Sequence, residues 1–307
     1  MQQIKNSMNK FYNNKDLQSK FNELYLKVVS DNDIQHFLIN HSDLTKSDIQ
    51  NSLAQLLEYI HQRNSIKKGR SGLVPGYIPR LEVSNNHIIV AYSPTKQTIE
   101  NKKKNSIYNR IINIDIPDSI KDADINDYQK GSNLRLHSFM EALSFTNNYC
   151  DLPNEYHRGL YLYGPFGVGK TYLLGAIAKK LAESGYKSIL LHLPTFNVEV
   201  KNSINNHNLL DNINYIKRAP VLMIDDIGAD NGSAWIRDEV LGVILQYRMQ
   251  EKLSTFFTSN LSIKELLKHF TVSSQGDEEP IKAQRIIERI KFLSKEIFID
   301  GPNRRNI

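Results

Sequence analysis

Residues 159–184 read GLYLYGPFGVGKTYLLGAIAKKLAES, and the stretch falls into three parts. GLYLY is a continuous apolar and aromatic run, as in a strand buried on both faces. The final part repeats apolar residues at helical spacing, with Leu173, Leu174, Ile177 and Leu181 on one side and Gly185 as a stop. Between them, Gly164 to Thr171 fit the pattern G-x-x-x-x-G-K-[ST]. A strand that turns through such a loop into a helix is built to hold phosphate. Backbone N–H groups at the helix N-terminus bind the oxygens, and the helix dipole favours the anion. Gly164, Gly167 and Gly169 let the backbone curl close to the ligand, while Pro165, Phe166 and Val168 stand between them. Lys170 meets the β and γ phosphates as a point charge, Thr171 offers its hydroxyl to Mg²⁺, and Tyr172 follows directly. The expected ligand is ATP with Mg²⁺, held by Gly164 through Tyr172.

Further along, residues 220–226 read PVLMIDD, a buried strand with two acids at its C-terminal end. Open α/β sheets bind their ligands at that edge. Asp225 is the expected Mg²⁺-holding carboxylate, with Thr171 as its companion. Asp226 is the candidate that orients or deprotonates the attacking water. A further strand, STFFTSN, ends at Asn260, whose amide suits the γ-phosphate or the lytic water. The C-terminal part is basic: Arg285 and Arg289 lie four apart on one helix face, and GPNRR carries Arg304 and Arg305.

The strand–helix alternation from Gly159 onward predicts an α/β fold, a parallel sheet covered by helices on both faces. The first 65 residues read as helical, with Leu53, Leu56, Leu57 and Ile60 in register and Thr45 or Ser47 as a cap. An earlier run offers Leu17, Phe21, Leu24, Tyr25, Val28 and Val29. Residues 66–80 are rich in Gly, Pro and basic side chains and predict a loop. LEVSNNHIIVAY predicts a hairpin turning at Asn85 and Asn86, and the polar run 93–106 a further loop. Residues 110–135 hold Pro117 and several acids. They predict a linker ahead of a helix over 134–150, with Leu136, Phe139, Met140 and Leu143 on one side. The expected organisation is an N-terminal α+β domain over 1–110, a linker over 111–133 and a nucleotide-binding domain over 134–307.

The chain of 307 residues is 40% hydrophobic and 23% charged, enough for a sizeable core. It holds no apolar run of about 18 residues, and its polar N-terminus lacks a signal core, so a cytoplasmic protein with no membrane partner is expected. Its one cysteine, Cys150, excludes an internal disulfide and a thiolate zinc site within the chain. The net charge of +6 is compatible with nucleic-acid binding. The best candidate surface is residues 196–218, where Phe196 and Tyr215 would stack on bases and Lys201, Lys217 and Arg218 would meet phosphates.

GPFGVGKT, LMIDD, TSN and the distal arginines together resemble the AAA+ superfamily. The set LYGPFGVGKTYLLGAIA, VLMIDDIGAD, TSN, RIIERI and IDGPNRR resembles the bacterial replicative helicase loaders, the DnaC/DnaI group, over roughly the second half of the chain. The end of the chain soon after its last strand fits an AAA+ core without a full helical lid, as in these loaders and in IstB-type transposition ATPases. The resemblance implies a nucleotide-dependent homo-oligomer that binds single-stranded DNA. It also implies partnership with the hexameric replicative helicase, held by the N-terminal domain, and with other primosome proteins. It maps Lys170, Thr171 and Asp225 to ATP and Mg²⁺ and Asp226 to the catalytic acid. Asn260 becomes the first sensor, Arg289 a finger acting in a neighbouring subunit, and Arg304 or Arg305 the second sensor. Members of the group can carry a cysteine-based zinc site in the N-terminal domain; here RNSIKKGRSGLVPGY has no cysteine, so no zinc is expected. Many AAA+ ATPases have Glu where this chain has Asp226, one methylene shorter, so slow intrinsic ATP hydrolysis is expected. The alternative is an IstB-like ATPase on duplex DNA. A small-molecule kinase would need an acceptor pocket and a lid, for which the sequence carries no signal, while Asp226 keeps open a nucleotide-gated adaptor that scarcely hydrolyses.

Overall fold

The computed structural model describes residues 15–85, 87–129, 131–202, 209–230, 234–272 and 278–304. The chain divides into two compact units, Met1–Lys103 and Lys104–Ile307.

Among its described residues the first unit starts with four helices, α1 (Lys15–Val29), α2 (Asn32–Ile39), α3 (Lys46–Asn51) and α4 (Leu53–Lys67). Polar caps set their starts. Asp31 accepts from the backbone N–H groups of Asp33 and Ile34, and Thr45 forms a reciprocal capping box with Asp48. An antiparallel hairpin follows, β1 (Tyr77–Ser84) and β2 (His87–Pro94), with Ser84 opposite His87. Asn85 adopts the left-handed conformation that a two-residue turn requires, at φ 49°; Asn86 lies outside the described residues. Val28, Ile34, Leu53, Leu56 and Ile88 form the core of the unit. The expected loop over 93–106 is instead a helix, α5 (Lys96–Tyr108), which buries no residue and so lacks an apolar stripe.

The second unit is a six-stranded parallel sheet. Its strands are β3 (Ile111–Ile114), β4 (Gly159–Tyr163), β5 (Ser188–His192), β6 (Val221–Asp225), β7 (Ser254–Ser259) and β8 (Ser294–Phe298), in the spatial order β3-β5-β6-β7-β4-β8. Strand residues alternate between two cores. Leu160, Leu162, Leu190 and Met223 pack with α6 (Asn133–Asp151) and α7 (Lys170–Glu183). Tyr161, Leu191, Leu222 and Ile224 pack on the other face with α8 (Leu193–Asn202), α9 (Leu209–Lys217), α10 (Gly242–Gln250) and α12 (Pro280–Leu293). A π-helical turn, Ile236–Leu241, leads into α10, and α11 (Ile263–Thr271) follows β7. Fully buried Arg248 ties this layer to the sheet through Thr255 Oγ1 and the carbonyls of Lys217, Ala219 and Ser254.

Two expectations are corrected in this unit. Residues 111–133 are not a linker: β3 pairs in parallel with β5, and Ile116, Ala123, Ile125 and Tyr128 are buried in the core. The turn Asp118–Asp122 packs so closely on α7 that a β-carbon at Gly175 would collide with the carbonyl of Ile120. The exposed acids of this segment mask a four-residue strand too short to show a period. In α6, Leu136 and Met140 are exposed, and the buried stripe runs through Arg135, Ser138, Phe139, Ala142, Phe145, Thr146 and Tyr149. The helix is rotated from the apolar reading because a charged and two polar side chains face inward.

Candidate nucleotide-binding site

The C-terminal ends of the parallel strands bring the separated motifs together. In the register of the sheet, His192 lies beside Asp225 and Tyr163 beside Ser259. The loop after β4 passes into α7 through Gly169, whose φ of 93° makes it the helix N-cap. At Gly167 a side chain would collide with Asn303 of the C-terminal segment.

Lys170 is buried, and its ammonium donates to the carbonyls of Gly164 (2.9 Å) and Pro165 (2.8 Å) and to Asn260 Oδ1 (2.8 Å). Thr171 Oγ1 donates to Asp225 Oδ1 at 2.8 Å. Asp225 is 4% exposed and also accepts from Thr258 Oγ1 at 2.5 Å. Burial pushes the Asp225 carboxyl above its ordinary pKa, the Thr258 bond opposes this, and neighbouring Asp226 raises it further. Asp226 has φ 60°; its N–H donates to Thr258 Oγ1 at 2.9 Å, and its carboxylate lies 3.9 Å from His192 Nε2. His192, Asp225 and Asp226 bring ligand atoms within 4.8 Å of one another. A buried carboxylate with hydroxyl and carboxylate oxygens around it is a hard-oxygen donor set, which fits Mg²⁺.

These groups line a cavity of about 830 Å³. Phe166, Gly167, Gly169, Lys170, Thr171, Tyr172, Asp225, Asp226, Asn260 and Arg304 all lie on its wall. Gly164 and Pro165 contribute through the carbonyls that hold Lys170. The Val168 side chain is buried in the core, so this residue takes part through its main chain alone. Arg289 is not on this wall; it sits on α12, with Nη1 donating to the Gly242 carbonyl at 2.9 Å. Burial and nearby Arg285 lower the Arg289 pKa. Arg305 lies outside the described residues.

The opposite wall was not legible from the motifs. It includes Ile116, Pro117, Ile120, Tyr128 and Gln129 from the segment between β3 and α6, Arg135 from the first turn of α6, His192 at the end of β5 and Thr195 in α8. For His192 a signal exists: it ends a buried strand at the same edge as Asp225. Thr258 likewise stands two residues before Asn260 at the end of β7.

The expected nucleic-acid surface is corrected at Phe196, which is 4% exposed and packs in the core with Leu193 and Val200 on the inner face of α8. It has no face to offer a base. Lys201 and Arg218 are exposed, Tyr215 is 55% exposed, and the Lys217 ammonium lies over the Tyr247 ring at 5.0 Å. Residues 203–208, between α8 and α9, lie outside the described residues.

A parallel sheet with a phosphate loop after one strand and paired acids at the end of another defines a P-loop nucleotide-binding protein. Residues 1–92 match the family of the primosomal protein DnaI N-terminus, and residues 93–305 match the IstB-like ATP binding protein family. The replicative helicase loader DnaI of Bacillus subtilis (strain 168) is 38% identical over 302 residues, covering 95% of each chain. A crystal structure of DnaI matches 65% of this chain and 99% of its own, at 42% identity and a TM-score of 0.58. The DnaC helicase loader, at 20% identity and a TM-score of 0.50 over 60% of this chain and all of its own, shares the fold. The chain belongs to the DnaI family of replicative helicase loaders. Among the described residues, no helix is long and apolar enough to cross a membrane.

Proposed function

We propose that this protein is an ATP-dependent loader of the replicative DNA helicase onto single-stranded DNA at initiation or restart of replication, acting in the cytoplasm. The observation that carries the nucleotide part is the convergence of Lys170, Thr171, Asp225 and Asn260, from three separate strand ends, on one cavity. Relatedness to a helicase loader along nearly the whole chain carries the rest. The match of residues 1–92 to the DnaI N-terminus disfavours the transposition reading, although the ATP-binding part matches the IstB-like family.

In this reading Lys170 leaves the carbonyls of Gly164 and Pro165 to meet the β and γ phosphates. Thr171 and Asp225 would hold Mg²⁺, which would supply positive charge against the phosphate oxygens. Asp226 orients the attacking water and takes its proton as the water oxygen bonds to the γ-phosphorus and the bond to the ADP oxygen breaks. Asn260 reports the state of the γ-phosphate back to Lys170. Arg289, outside this cavity, serves the site of a neighbouring copy in an ATP-dependent homo-oligomer, and Arg304 or Arg305 serves its own. The short Asp226 side chain makes hydrolysis slow, which suits a switch. The N-terminal unit holds the hexameric helicase, other primosome proteins join the assembly, and Lys201, Tyr215, Lys217 and Arg218 meet single-stranded DNA.

The test is size-exclusion chromatography of the full chain with the replicative helicase of the same cell, with and without ATP. Co-elution that changes with ATP and is lost in its ATP response in Lys170→Ala is expected. Failure to co-elute in any nucleotide state, or a preference for duplex over single-stranded DNA, would overturn the loader reading.

A further inference from the structure

We propose that Arg135 is a phosphate-binding residue of the nucleotide site, a second fixed cation across the loop from Lys170. The inference rests on the nucleotide binding proposed above and assigns it a residue from outside the motifs.

Arg135 is in an electrostatically costly position. It stands in the first turn of α6, where Ser132 caps its N–H, and a cation there opposes the positive end of the helix dipole. It is 2% exposed, and among the described residues no carboxylate pairs with it. Burial lowers its pKa, and Arg304 lowers it further, against the opposing effect of Tyr128. A buried guanidinium without a counter-ion is destabilising, and its contacts within the chain are to neutral groups. Nε donates to the Gln129 carbonyl at 2.7 Å, Nη1 donates to the Val168 carbonyl, and the guanidinium carbon lies 4.4 Å from the centre of the Tyr128 ring.

One guanidinium nitrogen remains. Nη2 makes no hydrogen bond among the described residues, and Arg135 lines the nucleotide cavity. Nη2 would lie 3.7 Å from a β-carbon at Gly169, so the absence of a side chain there opens its approach to the loop. Arg304 repeats the arrangement. Its backbone N–H donates to the Gly167 carbonyl at 2.9 Å, its Nη1 donates to Gln129 Oε1, and its buried Nε has no partner among the described residues. The two guanidinium groups therefore share Gln129, while the Arg135 side chain and the Arg304 backbone hold successive residues of the phosphate loop. Two like charges held together in a poorly solvated wall become favourable when an anion sits between them. A polyphosphate carries several negative oxygens and has a binding loop at the same place. A residue that only braced the loop would need its two carbonyl contacts but no charge.

The experiment measures affinities of the full chain for ADP and for the β,γ-methylene analogue of ATP by calorimetry, with melting temperatures taken without nucleotide. The variants are Arg135→Met, Arg135→Lys and Arg135→Gln, with Lys170→Ala as a control. Loss of one charge-assisted bond predicts about 10- to 100-fold weaker binding of both nucleotides in R135M and R135Q. R135K, which keeps the charge, recovers part of the loss. Should R135M fail to fold, R135Q against R135K gives the same contrast. Affinities within about threefold of the parent in R135M or R135Q, with only a lowered melting temperature, would reduce Arg135 to a brace and overturn the inference. That result, with K170A still losing binding, leaves the nucleotide site standing; a parent protein that binds neither nucleotide removes both.

Discussion

Thr258 and Asp225 are joined by a buried 2.5 Å hydrogen bond, and the same hydroxyl accepts the N–H of Asp226 at 2.9 Å. One side chain on β7 thus orients both acids at the end of β6. Thr258→Val keeps the shape, removes the donor to the carboxylate and leaves the Asp226 N–H without its acceptor. Hydrolysis of ATP is expected to fall about tenfold or more, while affinity for the methylene analogue stays within about threefold. Thr258→Ser should restore turnover. A T258V protein that hydrolyses like the parent would show that the acids need no such support.

Asp226 carries the proposed water-orienting carboxylate at φ 60°, a backbone conformation that Asp and Asn tolerate better than most residues. Asp226→Asn therefore preserves the local backbone and removes the charge. Nucleotide affinity should be retained and hydrolysis reduced at least about 100-fold, in the range expected for loss of a general base. The parent turnover, measured without helicase or DNA, should lie below about 10 s⁻¹, the enzyme median. Faster basal turnover would contradict the switch reading.

Half of this site was legible because its chemistry is local. Gly164 to Thr171 are contiguous, and Asp225, Asp226 and Asn260 each end an apolar run, so strand periodicity alone brings them to one edge. The other half comes from residues 111–135, where Ile116, Tyr128 and Arg135 acquire meaning only by packing on α7 and the loop, contacts that leave no period in the chain. Helix α5 was hidden for the converse reason. It buries no residue, so the pattern that normally betrays a helix is absent. At Phe196 the aromatic type was informative but its direction was not, because Leu193, Phe196 and Val200 form an inward stripe.

That stripe separates two kinds of outcome for the proposed DNA surface. Lys201→Ala and Tyr215→Ala remove exposed groups and should weaken single-stranded DNA binding several-fold each, with a shallower salt dependence for K201A. Phe196→Ala opens the core and should cost about 3–5 kcal/mol in urea unfolding. At temperatures where it remains folded, its DNA affinity should be unchanged. If K201A and Y215A bind DNA with unaltered affinity and salt slope, the α8–α9 surface is not where DNA lies.

In the N-terminal unit, Arg63 grips Asp31 with both nitrogens, at 2.6 and 2.7 Å, and reaches Asp33 at 2.7 Å. The Arg63 hydrogen bonds hold the Asp31 carboxyl below its ordinary pKa, more strongly than its partial burial raises it. A carboxylate depressed in the folded state stabilises the fold above its unfolded pKa and loses that contribution as pH falls through the folded value. Asp31→Asn keeps an N-cap oxygen for α2 but not the ion pair. It should lower the stability of this unit by about 1–2 kcal/mol at pH 7, and the difference from the parent should close as the pH is taken below about 4. Hydrogen exchange of the full chain over residues 15–85, followed through urea at pH 7 and pH 3, measures it. An equal gap at both pH values would mean that the charge on Asp31 does not contribute to holding α2 and α4 together.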